Sequence, residues 1–204
     1  MIIKKKYIFI AFVVFVILVG YTMPKKDLSA PLHKTEGMLS FTSTLYGFTI
    51  YYPKEYSIDE KYAYTVSPAL GPSVDVHGVS FTIPQALTTG TNLSADTKIS
   101  VEAAPEGSVC EAKTFLGDRV RSQKVLTENG VTYSIATAEG VAAGNIYEET
   151  VSVPLDMPTC FGIRLFLHSG NIGNFEPGTV HEFDKAALVT TYEKMRASLT
   201  ITKK

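Results

Sequence analysis

The chain has 204 residues, 45% of them hydrophobic, and a net charge of −1, which suits one globular domain of ordinary size. From residue 31 onward, 14 Lys and Arg stand against 19 Asp and Glu, a net charge of −5. Nucleic-acid-binding proteins normally present a basic patch, so we expect no binding to DNA or RNA. Eleven tyrosines and eleven phenylalanines favour a core built on β-strands, because aromatic side chains suit pleated sheets.

The N-terminal segment, residues 1–23, predicts a transmembrane helix that acts as a signal anchor. Lysines at 4–6 precede residues 7–24, which carry no charge, and a membrane span needs about 20 predominantly apolar residues. The lysines place the N-terminus in the cytoplasm and the rest of the chain outside. We expect a single-pass protein of the cell membrane, or a secreted protein if the segment is cleaved; no good cleavage site follows it, which favours the anchor.

After a linker, residues 24–43, the rest of the chain (44–204) predicts an extracytoplasmic α+β domain. Alternating apolar and polar residues predict strands at 48–52, 62–66, 74–84, 98–103, 120–127, 131–138, 145–155 and 160–169. Asn129-Gly130 predicts a tight turn between two of these strands, because this pair favours the type I′ hairpin geometry. A short helix is expected at 110–116, closed by Gly117.

The segment 160–169 predicts the central strand of the sheet, because both of its faces are largely apolar. A C-terminal amphipathic helix is expected at 184–199, with Asp184 as its N-cap. Its apolar stripe consists of Leu188, Tyr192, Met195 and Leu199. A largely antiparallel sheet of seven to nine strands, packed on one face by this helix and followed by a short final strand, is therefore the predicted fold.

The strand YGFTIYYP (residues 46–53) and the C-terminal helix that leads into SLTI resemble the PsbP/Mog1/LpqN-type fold of small secreted or membrane-anchored bacterial proteins. The resemblance covers residues 45–201. It implies an accessory or binding role that assists a larger assembly, and it carries over no functional residues.

The two cysteines, Cys110 and Cys160, predict a disulfide, because a pair outside the cytoplasm tends to be oxidised. The bridge would close a loop of about 50 residues and stabilise the domain by on the order of 4 kcal/mol. Two buried free thiols are the alternative.

No catalytic, cofactor-binding or metal-binding residues are predicted. The candidate ligand or partner surface consists of Arg164, His168, Asn171 and Asn174, because an arginine among apolar strand residues needs a partner. A structural salt bridge from Arg164 to Glu148, or to another acid on a strand, is the simpler reading.

Three further groups of residues could bind a metal ion or a sugar but have a simpler structural interpretation. Asp75 with His77, and His181 with Glu182 and Asp184, have the residue types of a metal site. The first pair is more simply the polar end of a strand, and the second group leads into a helix whose N-terminus favours acids. Six tyrosines could form a stacking platform for sugars or could pack in the sheet: Tyr46, Tyr51, Tyr52, Tyr56, Tyr62 and Tyr64.

The function expected from the sequence is that of a membrane-anchored accessory or binding domain with a protein partner in the cell envelope, no cofactor, and no catalytic activity. Two alternatives remain open. One is an envelope hydrolase whose site is assembled from separate loops and includes Arg164 and His168. The other is a glycan-binding module.

Overall fold

The structure is a computed structural model and describes residues 37–67 and 73–201. The predicted anchor (1–23) and most of the predicted linker lie outside the described residues. Within the described ranges, no helix is long and apolar enough to cross a membrane.

This part of the chain forms ten strands and two α-helices. In chain order they are β1 (Met38–Ser43), β2 (Phe48–Pro53), β3 (Ser57–Val66), β4 (Val74–Thr82), β5 (Lys98–Ala103), α1 (Ala112–Leu116), β6 (Val120–Glu128), β7 (Val131–Ala142), β8 (Asn145–Pro154), β9 (Phe161–Gly170), α2 (Lys185–Ser198) and β10 (Thr200–Ile201). The α+β class predicted from the sequence is confirmed.

Seven strands form the main sheet in the order β3-β4-β5-β9-β8-β7-β6, and every neighbouring pair is antiparallel. β9 is the middle strand, as its two apolar faces predicted. Its odd-numbered residues from Phe161 to Leu167 lie in one core, which α2 covers. Its even-numbered residues lie on the opposite face, where α1 packs over Gly162.

The other three strands form a second antiparallel sheet in the order β1-β2-β10. β1 lies in the range that the sequence assigned to the linker, six residues before the expected domain start at 44. It pairs with β2 along its whole length, from Met38 opposite Pro53 to Ser43 opposite Phe48. The expectation of a single sheet is therefore replaced by two sheets.

Helix α2 packs against both sheets and completes the larger core. The four residues of its predicted apolar stripe are all buried, and Asp184 caps it by accepting a hydrogen bond from the Ala187 N–H at 2.9 Å. The buried Tyr192 hydroxyl donates to Ser152 Oγ at 2.7 Å, so the one polar atom of that ring is satisfied.

The short helix α1 is held against the other face of the main sheet. Cys110, just before α1, and Cys160, just before β9, form the predicted disulfide, with their Cα atoms 5.3 Å apart. The Phe115 ring lies directly on Gly162, where an added Cβ would meet three ring atoms at 3.1 Å. Gly117 ends the helix with φ +60°, a conformation that favours glycine.

Candidate functional site

Arg164, the first residue of the predicted candidate surface, lies inside the domain. It is on β9, on the α1 face, and only 2% of it is exposed. Ser100 lies opposite it on β5 and Val151 opposite it on β8. Because side chains alternate along strands, Glu102 and Glu149 point to the same face from these two neighbours.

Arg164 is the centre of a buried ion network. Its Nε donates to Glu102 Oε1 at 2.8 Å, and its Nη2 donates to Glu102 Oε2 at 3.1 Å and to the carbonyl of Phe115 at 2.8 Å. It also donates to Glu149 and to the Tyr64 hydroxyl. The structure thus satisfies each nitrogen of the guanidinium, as a buried charge requires.

Two outer residues complete this network. Ser100 donates to Glu102 at 2.6 Å, and Arg119, just after α1, forms an ion pair with Glu149. The two arginines balance the two glutamates, so the network is neutral. The arrangement stabilises the junction of α1 with the sheet and leaves no nitrogen of Arg164 without an acceptor inside the domain.

Burial and charge together shift the ionisation of the groups in the network. Burial lowers the pKa of Arg164, but the combined effect of Glu102, Tyr64 and Glu149 outweighs burial and the pKa is raised overall. Burial and Glu102 both raise the pKa of Tyr64, and the same two causes raise the pKa of Tyr62 to about 12. Arg164 therefore stays charged and both tyrosines stay neutral at physiological pH, which suits a structural role.

The acid that pairs with Arg164 is not Glu148, the residue named from the sequence. Glu148 lies opposite Leu167 and therefore on the α2 face of the sheet, where it forms an ion pair with Lys185. Glu149, one residue later, points to the α1 face and reaches Arg164. The general expectation of a salt bridge to a strand acid is confirmed.

The rest of the α1 face carries four half-buried rings and a half-buried lysine between them, which we call the ring platform. Its members are Tyr62 of β3, Lys98 of β5, Phe166 and His168 of β9, and Tyr147 of β8. Lys98 Nζ lies 5.5 Å from the Tyr62 ring centroid and 5.1 Å from that of Phe166. Its cation–π contacts hold the two rings together across the sheet. Each ring is partly open to solvent, so the platform is a surface that a partner can contact.

His168 lies at one end of the platform, oriented by two contacts. Its Nδ1 lies 2.7 Å from Asp96 Oδ1, and its ring stacks on Tyr147 with centroids 4.5 Å apart. Its Nε2 is buried and has no hydrogen-bond partner among the described residues. A general base must reach the proton that it accepts, and a buried Nε2 does not offer that access.

Asn171 and Asn174 lie apart from Arg164, at the β7–β8 hairpin. The backbone N–H of Asn171 and the side-chain amide of Asn174 both donate to the carbonyl of Gly144, at 2.8 and 3.0 Å. The structure therefore does not bring the four residues of the predicted surface together. It distributes them over an ion network, the end of the ring platform and a hairpin.

The other candidate residues predicted from the sequence make local contacts within the domain. Asp75 accepts a hydrogen bond from Thr65 Oγ1 at 2.8 Å. No group of three or more His, Cys, Asp and Glu in residues 37–67 and 73–201 could hold a metal ion. The six tyrosines do not form one platform, because Tyr46, Tyr52 and Tyr56 pack in the α2 core whereas Tyr62 and Tyr64 lie on the α1 face.

Sequence reasoning missed three members of the ring platform, Tyr147, Phe166 and Lys98. Alternation placed Phe166 on the same face as His168, which was a usable signal. The neighbours on β5 and β8 depend on strand order, which local patterns do not contain.

Comparison with known proteins shows a likeness in structure but none in sequence. No protein-family model matches the sequence, and no curated protein matches it. The structure is similar to the solution structure of cyanobacterial PsbP (CyanoP) from Synechocystis sp. PCC 6803, with a TM-score of 0.44 and 14% sequence identity. The match covers 85% of this chain and 97% of that chain.

Proposed function

We propose that this chain is a non-catalytic binding domain, anchored in the cell membrane by residues 1–23, that contacts a protein of the envelope through its ring platform. The observation that carries the proposal is the composition of the α1 face. Its arginines and glutamates pair with one another around Arg164, whereas its aromatic rings and Lys98 are left half exposed.

The disulfide supports the extracytoplasmic part of the proposal. Disulfides persist in oxidising compartments and are rare in the cytoplasm, and Cys110 and Cys160 lie at bonding distance. The uncharged N-terminal segment supports the anchor, since its length matches the bilayer core.

The ring platform supports a binding role because of its chemistry. Tyrosine is enriched in protein interfaces, where it supplies a large rigid surface with a polar group. Lys98, held over two rings, adds a positive charge that no carboxylate within 4 Å neutralises in the described part of the chain. Rings beside a cation suit a partner segment with apolar and acidic residues.

The test is photo-cross-linking of the full-length chain in native membranes. A benzophenone amino acid replaces Phe166 in one variant and Val125 in a control, where Val125 is 66% exposed on the edge strand β6. We expect one defined protein adduct from position 166 and none from position 125. Equal labelling at both positions, or no adduct at 166, contradicts the proposed surface.

A second candidate is glycan binding, favoured by the same rings because sugars stack on aromatic faces. Retention of the chain on peptidoglycan or polysaccharide columns, lost in Tyr147→Ala and kept in Val125→Ala, would favour this candidate over a protein partner. The hydrolase alternative has less support, since Arg164 is buried and the Nε2 atom of His168 is covered.

A further inference from the structure

Lys98 lies in the middle of the ring platform, between rings that belong to other strands. On β5 it lies directly opposite Phe166 of β9. Tyr62 of β3 lies opposite Gly78, which in turn lies opposite Glu102, four residues further along β5 than Lys98. The Lys98 side chain therefore extends along the sheet from its own row towards the row of Tyr62, and its ammonium lies close to both rings.

The two rings orient the ammonium before any partner binds. A cation within about 6 Å of an aromatic ring centroid is attracted by the face of the ring, and Lys98 meets this condition for Tyr62 and for Phe166. Both rings are uncharged, since the pKa of Tyr62 is raised to about 12, so they hold the charge without neutralising it. A lysine ordered in advance loses less side-chain entropy on binding than one that moves in solvent.

The carboxylates nearest to Lys98 on the α1 face have other partners. The glutamates of the ion network pair with its two arginines. Asp96 contacts His168 at 2.7 Å, on the side away from Tyr62. Asp59 accepts a hydrogen bond from a backbone N–H of its own strand β3 at 2.9 Å, and β3 lies two strands from β5, or roughly 10 Å. In residues 37–67 and 73–201, no carboxylate lies within 4 Å of the Lys98 ammonium.

This positive charge belongs to a domain that is acidic as a whole, with a net charge of −5 from residue 31 onward. The field of such a domain repels an acidic partner over most of its surface. At Lys98 the sign is reversed, so a carboxylate is favoured there and a basic residue is disfavoured. The uncharged rings on both sides suit apolar residues next to that carboxylate.

We propose that Lys98 selects the partner protein, by forming an ion pair with a carboxylate that a segment of the partner places between Tyr62 and Phe166. The inference rests on the proposed function and names the residue that makes the ring platform specific. Between two rings the pair is partly shielded from water, which strengthens its attraction. The rings supply contact area, whereas Lys98 determines which segment fits.

The first test is zero-length cross-linking of the full-length chain in native membranes with a water-soluble carbodiimide. The reagent adds to a carboxylate as an O-acylurea, and a lysine amine in contact with it displaces the urea, loses a proton and forms an amide. We expect mass spectrometry to find Lys98 joined to an acidic residue of the same protein that benzophenone at position 166 captures. Lys98→Arg should abolish this amide, because guanidinium is not a nucleophile under these conditions.

The second test measures how charge at position 98 affects capture of the partner. A benzophenone amino acid replaces Tyr147 in this series, so that both rings beside Lys98 are kept. Lys98→Met keeps the apolar stem and should lower the adduct yield about tenfold, the effect of one close charge pair. Lys98→Glu should abolish the adduct, and Lys98→Arg should keep it. Lys124→Glu, at an exposed position of β6, makes the same change in net charge and should leave the yield unchanged.

The two tests separate this inference from the proposed function. If the adduct at 147 is equally strong in all variants and no amide forms at Lys98, the inference is overturned while the binding surface stands. If neither 166 nor 147 captures a protein, the proposed function is contradicted and the inference fails with it. A stronger adduct in Lys98→Glu would indicate a basic partner, and an amide from Lys98 to Asp96 or Asp59 would show that the charge is neutralised within the chain. Either result overturns the inference.

Discussion

Arg164 shows how a buried charge is held by its neighbours. Removing it leaves Glu102 buried without a cation and leaves Glu149 with Arg119 alone, and breaking a buried pair typically costs about 3–5 kcal/mol. We therefore expect Arg164→Ala to lower the free energy of unfolding by about 3–5 kcal/mol, measured by urea denaturation with far-UV circular dichroism. Arg121→Ala, at an exposed position of β6, is the control and should change it by less than about 0.5 kcal/mol.

A lysine at position 164 separates charge from geometry. Lysine keeps the positive charge but has a single nitrogen, so it cannot reach two carboxylates, a hydroxyl and a carbonyl together. Arg164→Lys should recover only part of the loss. Full recovery would mean that charge balance alone maintains the site, and a negligible loss in Arg164→Ala would mean that water reaches the glutamates.

The pairing of Arg164 marks a limit of sequence reasoning at the scale of one residue. The need for an acidic partner followed from the sequence, because an unpaired charge among apolar residues is costly. The choice between Glu148 and Glu149 did not, because a register shift of one residue exchanges the two faces of a strand. Glu102 could not be predicted as a partner of Arg164, because its position depends on β5 lying beside β9.

At the scale of elements, local sequence patterns predicted the turns, caps and helix faces that depend on neighbouring residues. The turn at Asn129-Gly130, the stripe of α2, its N-cap at Asp184 and the stop at Gly117 all depend on neighbouring residues, and the structure has them. The β7–β8 turn was less clear from the sequence, because Ala143 is not a turn-forming residue. Its conformation is imposed by the pairing of two long strands.

Substitutions at the two hairpin turns test whether the residue with positive φ affects stability as its local preference predicts. Ala143→Asn should raise the free energy of unfolding by about 0.5–1 kcal/mol, because asparagine tolerates positive φ better than alanine. Asn129→Ala should lower it by a similar amount for the same reason. Urea midpoints of the two variants and the wild type give the comparison, and a destabilised Ala143→Asn would show that the methyl group makes contacts that stabilise the turn.

At the scale of the whole molecule, the second sheet is the feature that the sequence did not predict. Residues 38–43 are too short and too mixed in polarity to stand out as a strand. They become one only because β2, already bound to β10 on its other side, offers a free edge. That edge is supplied by the tertiary fold, so the strand cannot be found from a window of local sequence.

The start of the domain can be tested by truncation. A chain that begins at residue 37 keeps β1, whereas one that begins at 44 loses its six pairs with β2. It also loses the ring of Phe41, which lies 5.8 Å from Phe81 and 6.2 Å from Phe48. Because loss of a fully buried phenylalanine side chain costs about 3–5 kcal/mol and Phe41 is half buried, we expect the shorter chain to be less stable by roughly 2–4 kcal/mol. Urea denaturation of both chains measures the difference in stability. Equal midpoints would mean that the stable domain begins at residue 44 and that its core is complete without β1.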